Sequence, residues 1–170
     1  MGGLVSLSAS KIEMAMIAMR TQVQVQGISG KSVSDFMLNC TDQAYQDWWP
    51  GTHLAFHTTR RFPNDLGNLV YFDEYVGRRR LKFRGVVVKN VPGKEIVWQM
   101  SKVVRLPGWL VLEFDDNDAG VVITHTIKAG FAGIGRLLDP FLRLYLNKGF
   151  EQDMEQHARI EFARLAEILS

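Results

Sequence analysis

The last thirty residues repeat apolar positions at steps of three and four, with Glu, Gln and Arg between them. This period predicts one amphipathic helix. Asp139 is a suitable N-cap for it and Pro140 fits the first helical position. At about 1.5 Å per residue the helix would be roughly 45 Å long, enough to cross a small domain. Its apolar stripe comprises Phe150, Met154, His157, Ala158, Phe162, Leu165 and Leu169.

The chain before this helix alternates polar and apolar residues in short runs separated by turn residues. The runs cover 21–26, 54–62, 69–76, 81–91, 95–106, 109–115 and 121–131. Gly77, Pro92-Gly93, Pro107-Gly108 and the stretch 116–120 punctuate them. Two short helices, 32–40 and 41–49, precede Pro50-Gly51. The pattern predicts an α+β fold in which about seven strands form a curved antiparallel sheet, and a cavity lies between that sheet and the long helix.

This order of elements resembles the START-like, pollen-allergen-like superfamily (SRPBCC), and within it the polyketide cyclase/dehydrase and lipid-transport group. The resemblance covers roughly residues 14–169. It rests on the element order, on Trp48-Trp49-Pro50, on the Pro-Gly turns, and on the terminal helix with Met154, His157, Phe162 and Leu165. It implies a helix-grip fold, in which a curved sheet wraps around the C-terminal helix. Because this scaffold serves many functions, the resemblance says more about fold than about activity.

Length and composition narrow the class of protein. A chain of 170 residues with 46% apolar content is expected to form one globular domain, here 12–170, after a mobile tail at 1–11. A net charge of +2 gives no reason to expect nucleic acid as a partner. The single cysteine, Cys40, cannot form an internal disulfide and is expected to be a buried apolar residue rather than a nucleophile. With neither a secretory signal nor a membrane span in the sequence, we expect a cytoplasmic protein.

Strand alternation predicts which side chains face the cavity. On the run 121–128, Ile123, His125 and Ile127 share the face expected to point inward, whereas on 69–76 either Glu74 or Asp73 could do so. His125 and Glu74, with His157 from the helix, would then form a polar centre in an apolar cavity and are the candidate catalytic pair. In the alternative, His125 is a hydrogen-bonded core histidine and Glu74 faces solvent. The candidate ligand-binding residues are Trp49, Tyr71, Phe72, Trp98, Met100, Phe114, Ile123, Phe150, Met154 and His157.

Other sequence signals indicate no cofactor. His53 and His57 would lie about 13 Å apart on a strand, so no metal site is expected. The glycines at 130, 133 and 135 lack the spacing of a nucleotide-binding loop and are expected to form a flexible connection that lets the long helix hinge over the cavity. The basic run Arg78, Arg79 and Arg80 is typical of a solvated hairpin, and its functional alternative is weak contact with anionic lipid.

Three functions fit these features. The first is binding or transport of a hydrophobic or amphipathic small molecule, such as a lipid, fatty acid, quinone or polyketide. The second is a cyclase/dehydrase-type enzyme that uses His125 and Glu74 for proton transfer without metal or nucleotide. The third is a protein-interaction module like the heat-shock ATPase activators, which share the fold. The sequence leaves open whether the protein is an enzyme.

Overall fold

The computed structural model describes residues 16–101, 105–131 and 133–169. Residues 1–11, predicted to be a mobile tail, lie outside the described residues. Seven strands are present: β1 (Ile17–Gln26), β2 (His53–Arg60), β3 (Leu69–Val76), β4 (Arg79–Val91), β5 (Glu95–Ser101), β6 (Arg105–Asn117) and β7 (Gly120–Ala129). The α-helices are α1 (Gly30–Asn39), α2 (Asp42–Trp48), α3 (Asp139–Tyr145) and α4 (Lys148–Leu169), and short 3₁₀ turns cover Pro63–Asp65 and Gly133–Leu138.

All seven strands belong to one antiparallel sheet in the order β1-β7-β6-β5-β4-β3-β2. Strands β2 to β7 follow one another as a meander, while β1 crosses the molecule to pair with β7 over its whole length, from Ile17 opposite Ala129 to Gln26 opposite Gly120. The helices α1 and α2 fill the connection between β1 and β2. The predicted α+β class, with a seven-stranded antiparallel sheet and a long C-terminal helix, is confirmed.

The predicted turn at Pro107-Gly108 is wrong. Ser101 of β5 already pairs with Arg105, so the chain has reversed before Pro107. Both residues lie inside β6, where the Pro107 carbonyl accepts a hydrogen bond from the Gly130 N–H at 3.0 Å. Proline lacks only the donor, and its carbonyl can still join a strand-to-strand contact.

The long C-terminal helix begins at Lys148, eight residues after Pro140, the first helical position that the sequence pattern indicated. Asn147 separates the two helices. Its side-chain oxygen accepts a hydrogen bond of 3.0 Å from the Phe150 N–H and so caps α4. The preceding segment forms the separate helix α3. Asp139 is not the N-cap of that helix: its carboxylate accepts from the Phe131 N–H at 3.0 Å, and Leu138 occupies the cap position.

The core has a dense part and a smaller one. In the dense part, α1, α2 and the C-terminal half of α4 pack against the sheet around fully buried Tyr45, Trp48, Phe162 and Leu165. In the smaller part, Phe150 and Met154 of α4 meet Met19, Val76 and Ile127. Among the described residues, every helix falls short of the length and apolar character that crossing a bilayer would require.

Candidate functional site

A cavity of about 450 Å³ lies between the sheet and the segment that contains α3 and the start of α4. Strands β3 to β7 provide one wall, and the other comes from Leu142, Tyr145 and Leu146 of the α3 segment with Phe150 and Met154 of α4. Most of the wall is apolar. The inward side chains of the sheet include Leu81, Phe83, Met100, Leu110, Ile127 and Ala129.

Glu74 provides a carboxylate in the cavity wall, because β3 turns its even-numbered residues inward. Val70, Phe72 and Val76 share that buried face. The neighbouring Asp73 points to the opposite side of the sheet, where the Arg80 guanidinium donates two hydrogen bonds of 2.8 Å to its carboxylate. The hydrogen bonds from Arg80 lower the pKa of Asp73. The pairing of β3 with β4, which brings Arg80 beside Asp73, thus settles which acid faces inward.

His125 of β7 also lines the cavity and is only 7% exposed. Burial lowers its pKa to about 4, although the charge of Glu74 acts in the opposite direction. The imidazole is therefore neutral at pH 7 and can accept or donate a hydrogen bond through its free nitrogen. Together His125 and Glu74 make a polar wall in a mostly apolar chamber, whose lining also includes Arg80, Lys82 and Lys128.

A second group of polar side chains lies behind Glu74, in the dense part of the core. His53 begins β2 and stands opposite Glu74 in the β2–β3 pairing. His157 and Glu161 lie one turn apart on α4. The ligand-capable atoms of all four residues lie within 4.8 Å of one another. A narrow gap lined by Tyr45, Glu74, His125, His157 and Glu161 connects this group with the cavity wall.

The distances within this group are those of ion pairs rather than of good hydrogen bonds. His157 Nε2 lies 3.5 Å from Glu74 Oε2 and 3.8 Å from Glu161 Oε2. His53 Nε2 lies 3.5 Å from Glu161 Oε1 and 4.0 Å from Glu74 Oε2. Within the described part of the chain, neither Nε2 atom has a hydrogen-bond partner, and both are buried. Unpaired buried nitrogens are costly, so the group needs protons or a cation to hold it together.

The four residues differ in the direction of their pKa shifts. Burial lowers the pKa of His53 to about 4 and raises that of Glu161 to about 8. Burial alone would also raise the pKa of Glu74, but contacts from His157 and the Tyr45 hydroxyl outweigh it and the net shift is downward. For His157 burial acts to lower the pKa, and the two neighbouring carboxylates raise it above the ordinary value. His157 and Glu74 are thus a charged pair beside a neutral imidazole and a proton-holding carboxyl.

Sequence comparison finds no relatives: no family model matches, and no curated protein matches significantly. Structural comparison finds proteins of similar fold. The protein Ara h 8.0201 superposes with a TM-score of 0.60 at 9% identity, over 91% of this chain and 97% of that one. The major latex-like protein 151 of Panax ginseng gives 0.56 at 10% identity, over 84% and 97%. The di-domain ARO/CYC StfQ of the steffimycin biosynthetic pathway gives 0.57 at 14% identity, over 99% and 61%.

The chain has the helix-grip fold. At these identities the likeness concerns the fold alone, and at that level the resemblance inferred from the sequence is confirmed. The cavity lies between the curved sheet and the terminal helix, and α3 covers one side of it.

Seven of the twelve predicted site residues lie at the helix-grip cavity or at the narrow gap behind it. Glu74, His125, Met100, Phe150 and Met154 line the cavity, while Phe72 and His157 line the gap. The other predicted ligand-binding residues lie elsewhere. Tyr71 is on the outer face of the sheet, where its hydroxyl donates to Asp73. Trp98, Phe114 and Ile123 are buried in the larger core cluster and are not among the residues that line the cavity.

Trp49 lies outside the cavity as well, at a shallow surface recess that it shares with His157, Asp153 and Ile160. Its ring is 4.9 Å from that of His157, and the Arg164 guanidinium lies 5.4 Å above it. The α2 helix ends at Trp48, so Trp49 turns away from the sheet interior that Trp48 fills.

Two of the three arginines considered for anionic lipid have partners within the chain. Arg80 pairs with Asp73, and Arg79 donates to the Tyr145 carbonyl at 2.8 Å while its guanidinium lies 5.2 Å from the Phe150 ring centroid. Arg78 is exposed. Lipid contact through these residues stays a prediction.

Several cavity residues escaped the sequence analysis. Leu142, Tyr145 and Leu146 were assigned to a continuous helix, although Asn147-Lys148-Gly149 carries a readable capping signal for a new one. His53 was considered only as a partner of His57 and set aside, and Glu161 was missed. Glu161 stands four residues after His157, a spacing that places both on one side of a helix, but His53 joins them only through tertiary structure.

Proposed function

We propose that the protein binds one hydrophobic or amphipathic small molecule in the helix-grip cavity. The observation that carries this proposal is the cavity itself: about 450 Å³, with apolar walls and a polar wall made by Glu74 and His125. Ligand sites commonly have 300–1,000 Å³ of space, apolar walls and a few polar groups that fix orientation. A fatty acid, quinone or polyketide-like compound with one hydroxyl or carbonyl group matches that description.

The α3 segment supports a route of access. None of the α3 residues is buried: Phe141 and Leu144 are exposed by 70% and 76%, and Leu137 in the turn just before the helix by 77%. A helix with so little buried surface is held weakly, so its displacement costs little free energy. We infer that the ligand enters when α3 moves away from the sheet. The Arg79 contact with the Tyr145 carbonyl and the Asp139 contact with Phe131 tether its two ends.

Native mass spectrometry of the full chain, followed by extraction and identification of any bound compound, tests this proposal. We expect an apolar adduct in a ratio of one to one. Because purification can remove a ligand, the delipidated protein is then titrated with saturated fatty acids of increasing length and with a soluble quinone. Absence of both a native adduct and saturable 1:1 binding would contradict the proposal.

A cyclase-type reaction is the second candidate, because His125 and Glu74 meet the same apolar space. A neutral imidazole can take a proton from carbon or oxygen, and a carboxylate nearby can stabilise the resulting cation. One of the structural neighbours is described as an aromatase/cyclase protein of steffimycin biosynthesis, which adds support at the level of fold.

The variant His125→Gln separates the two candidates. If the cavity only binds, the change removes about one hydrogen bond and costs about 1 kcal/mol of binding free energy. If the cavity catalyses cyclisation, affinity is kept while turnover of a linear poly-β-ketone substrate is abolished. Isothermal titration and product analysis by mass spectrometry give the two readouts, and the melting temperature shows whether the variant is folded.

A further inference from the structure

We propose that His53, Glu74, His157 and Glu161 form a binding site for one divalent transition-metal ion of the Zn²⁺ class. This site lies beside the helix-grip cavity and shares Glu74 with the cavity wall. The four residues come from β2, β3 and α4, so the complete set exists only in the folded chain. Two imidazole nitrogens and two carboxylates are a donor set typical of zinc in proteins.

The spacing of the donor atoms fits a tetrahedral ion. With bonds of about 2.1 Å, the edges of a tetrahedral site are about 3.4 Å long. The observed separations from His157 Nε2 to the two carboxylates are 3.5 and 3.8 Å, and those from His53 Nε2 are 3.5 and 4.0 Å. These distances involve both Glu161 oxygens, and the four donor atoms lie within 4.8 Å of one another, so movements of less than about 1 Å per donor would bring them to bonding distance.

The orientation of His53 gives independent support. Its Nδ1 lies 3.1 Å from the backbone carbonyl oxygen of Tyr45. A carbonyl can only accept, so Nδ1 carries the proton and Nε2 is the nitrogen with a free lone pair. That lone pair points toward Glu161 and Glu74, which also present lone pairs. The His53 side chain is 0% exposed, and its Nε2 lacks a hydrogen-bond partner among the described residues. Acceptors that face one another in a buried site need a proton or a cation between them, and one divalent ion would serve all four groups at once.

Tyr45 holds two of the four ligands in place. Its carbonyl orients His53, its ring stacks on that imidazole at a centroid distance of 3.9 Å, and its hydroxyl donates to Glu74 Oε2. Such contacts behind metal ligands fix the tautomer and the ligand orientation. The side chain of Tyr45 is itself buried and packed between Trp48 and Phe56, so this support is rigid.

The balance of charge is also suitable. Two neutral imidazoles and two carboxylates carry a total charge of −2, which a divalent ion neutralises without leaving a buried net charge. Imidazole donors disfavour Mg²⁺ and Ca²⁺, which prefer oxygen ligands. A surface recess lined by Trp49, Asp153 and His157 brings solvent to one of the four ligands.

Metal binding to the full chain tests the proposal. The protein is treated with EDTA, dialysed and titrated with Zn²⁺ by calorimetry, and separately with Co²⁺ by visible absorption. We expect one ion per chain and the strong d–d absorption that marks a four-coordinate Co²⁺ site. With free Zn²⁺ about 100-fold above its Kd, the melting temperature should rise by about 5–10 °C.

Variants identify the ligands. His157→Gln and Glu161→Gln should each weaken Zn²⁺ binding by about 100-fold or more and abolish the Co²⁺ spectrum. The bond from Trp48 Nε1 to Glu161 uses the backbone carbonyl, so Glu161→Gln keeps that contact. One control should bind as the wild type does: His57→Gln, which removes a half-exposed histidine paired with Asp42 at 2.7 Å.

Circular dichroism verifies that each variant is folded, and two ligand variants are used so that one folding failure leaves the test intact. The proposal is overturned if the folded wild-type chain binds neither Zn²⁺ nor Co²⁺. It is equally overturned if the two ligand variants bind as tightly as the wild type, or if only His57→Gln loses binding. In the first of these cases the four groups are held together by protons alone.

Discussion

The two ends of the space between sheet and helix α4 differ sharply, although the same strands and the same helix form both. At the C-terminal end of α4, the side chains of α1 and α2 fill the space, and Trp48, Phe162 and Leu165 are buried almost completely. At the N-terminal end the space is a cavity of about 450 Å³ covered by α3, whose own residues are not buried. One end therefore supplies stability and the other leaves room for a ligand.

The contrast is visible along a single strand. Ile123 and Ile127 are four residues apart on β7 and point to the same side of the sheet. Ile123 is completely buried in the filled core, whereas Ile127 borders the cavity. The difference comes from what lies opposite, since α1 and α2 reach only one end of the sheet. The division between packing and binding is thus set by helix placement rather than by the strand sequence.

The largest expected effect comes from removing an aromatic ring at the filled end. Phe162→Ala should lower the free energy of unfolding by about 3–5 kcal/mol, because it leaves a cavity that the surrounding rings cannot close. Its matched control at the other end is Phe141→Ala on α3, where the ring is 70% exposed. That change should stay within about 0.5 kcal/mol.

Urea denaturation followed by circular dichroism measures both changes, and equal m-values would show that the unfolding transition is the same. If Phe141→Ala destabilised the chain as much as Phe162→Ala, α3 would be an integral part of the core. The account of α3 as a weakly held cover would then be wrong.

The second effect uses the two isoleucines of β7 as a matched pair. Ile123→Phe adds volume where there is none to spare and should cost about 1–3 kcal/mol of stability. Ile127→Phe adds the same volume beside empty space, so it should cost less than about 1 kcal/mol. Because the new ring occupies the cavity, it should also reduce the affinity for an apolar ligand by at least about tenfold.

Thermal unfolding and ligand titration of the two variants give the comparison. Ile123→Phe, as far as it remains folded, should keep ligand affinity. The division between the two ends fails if the variants lose stability equally, or if Ile127→Phe binds as well as the wild type.

The sequence predicts the fold well because the relevant signals are local. Alternation along 121–128 placed His125 on the same face as Ile123 and Ile127, and the structure places all three inward. The sequence could not show whether Asp73 or Glu74 faces the cavity, since a slip of one residue exchanges the faces of a strand. The structure resolves that choice through Arg80, which a hairpin register brings next to Asp73.

The candidate site was less accessible to sequence reasoning. The start of α4 was misplaced because an apolar period of three to four continues through α3, and periodicity alone does not register the cap at Asn147. The group of His53, Glu74, His157 and Glu161 depends on contacts between residues as many as 108 positions apart. No spacing rule along the chain reveals such a set, and only His157 with Glu161 carries a local signature.

The last and smallest expected effect concerns the reactivity of Cys40, which is buried in the core at the filled end. Burial, reinforced by the charge of Asp42, raises the pKa of the thiol from 9.0 to about 12. At pH 8 this lowers the thiolate fraction about 1,000-fold, and the thiolate is the reactive form. Cys40 in the native chain should therefore resist an aromatic disulfide reagent for hours and react within minutes in urea.

Ala129 borders the cavity, so in the double variant Cys40→Ala/Ala129→Cys the new thiol should react in the native state and be protected by a bound ligand. Rapid native labelling of Cys40, or equal rates at the two positions, would remove the distinction between a filled end and an open one.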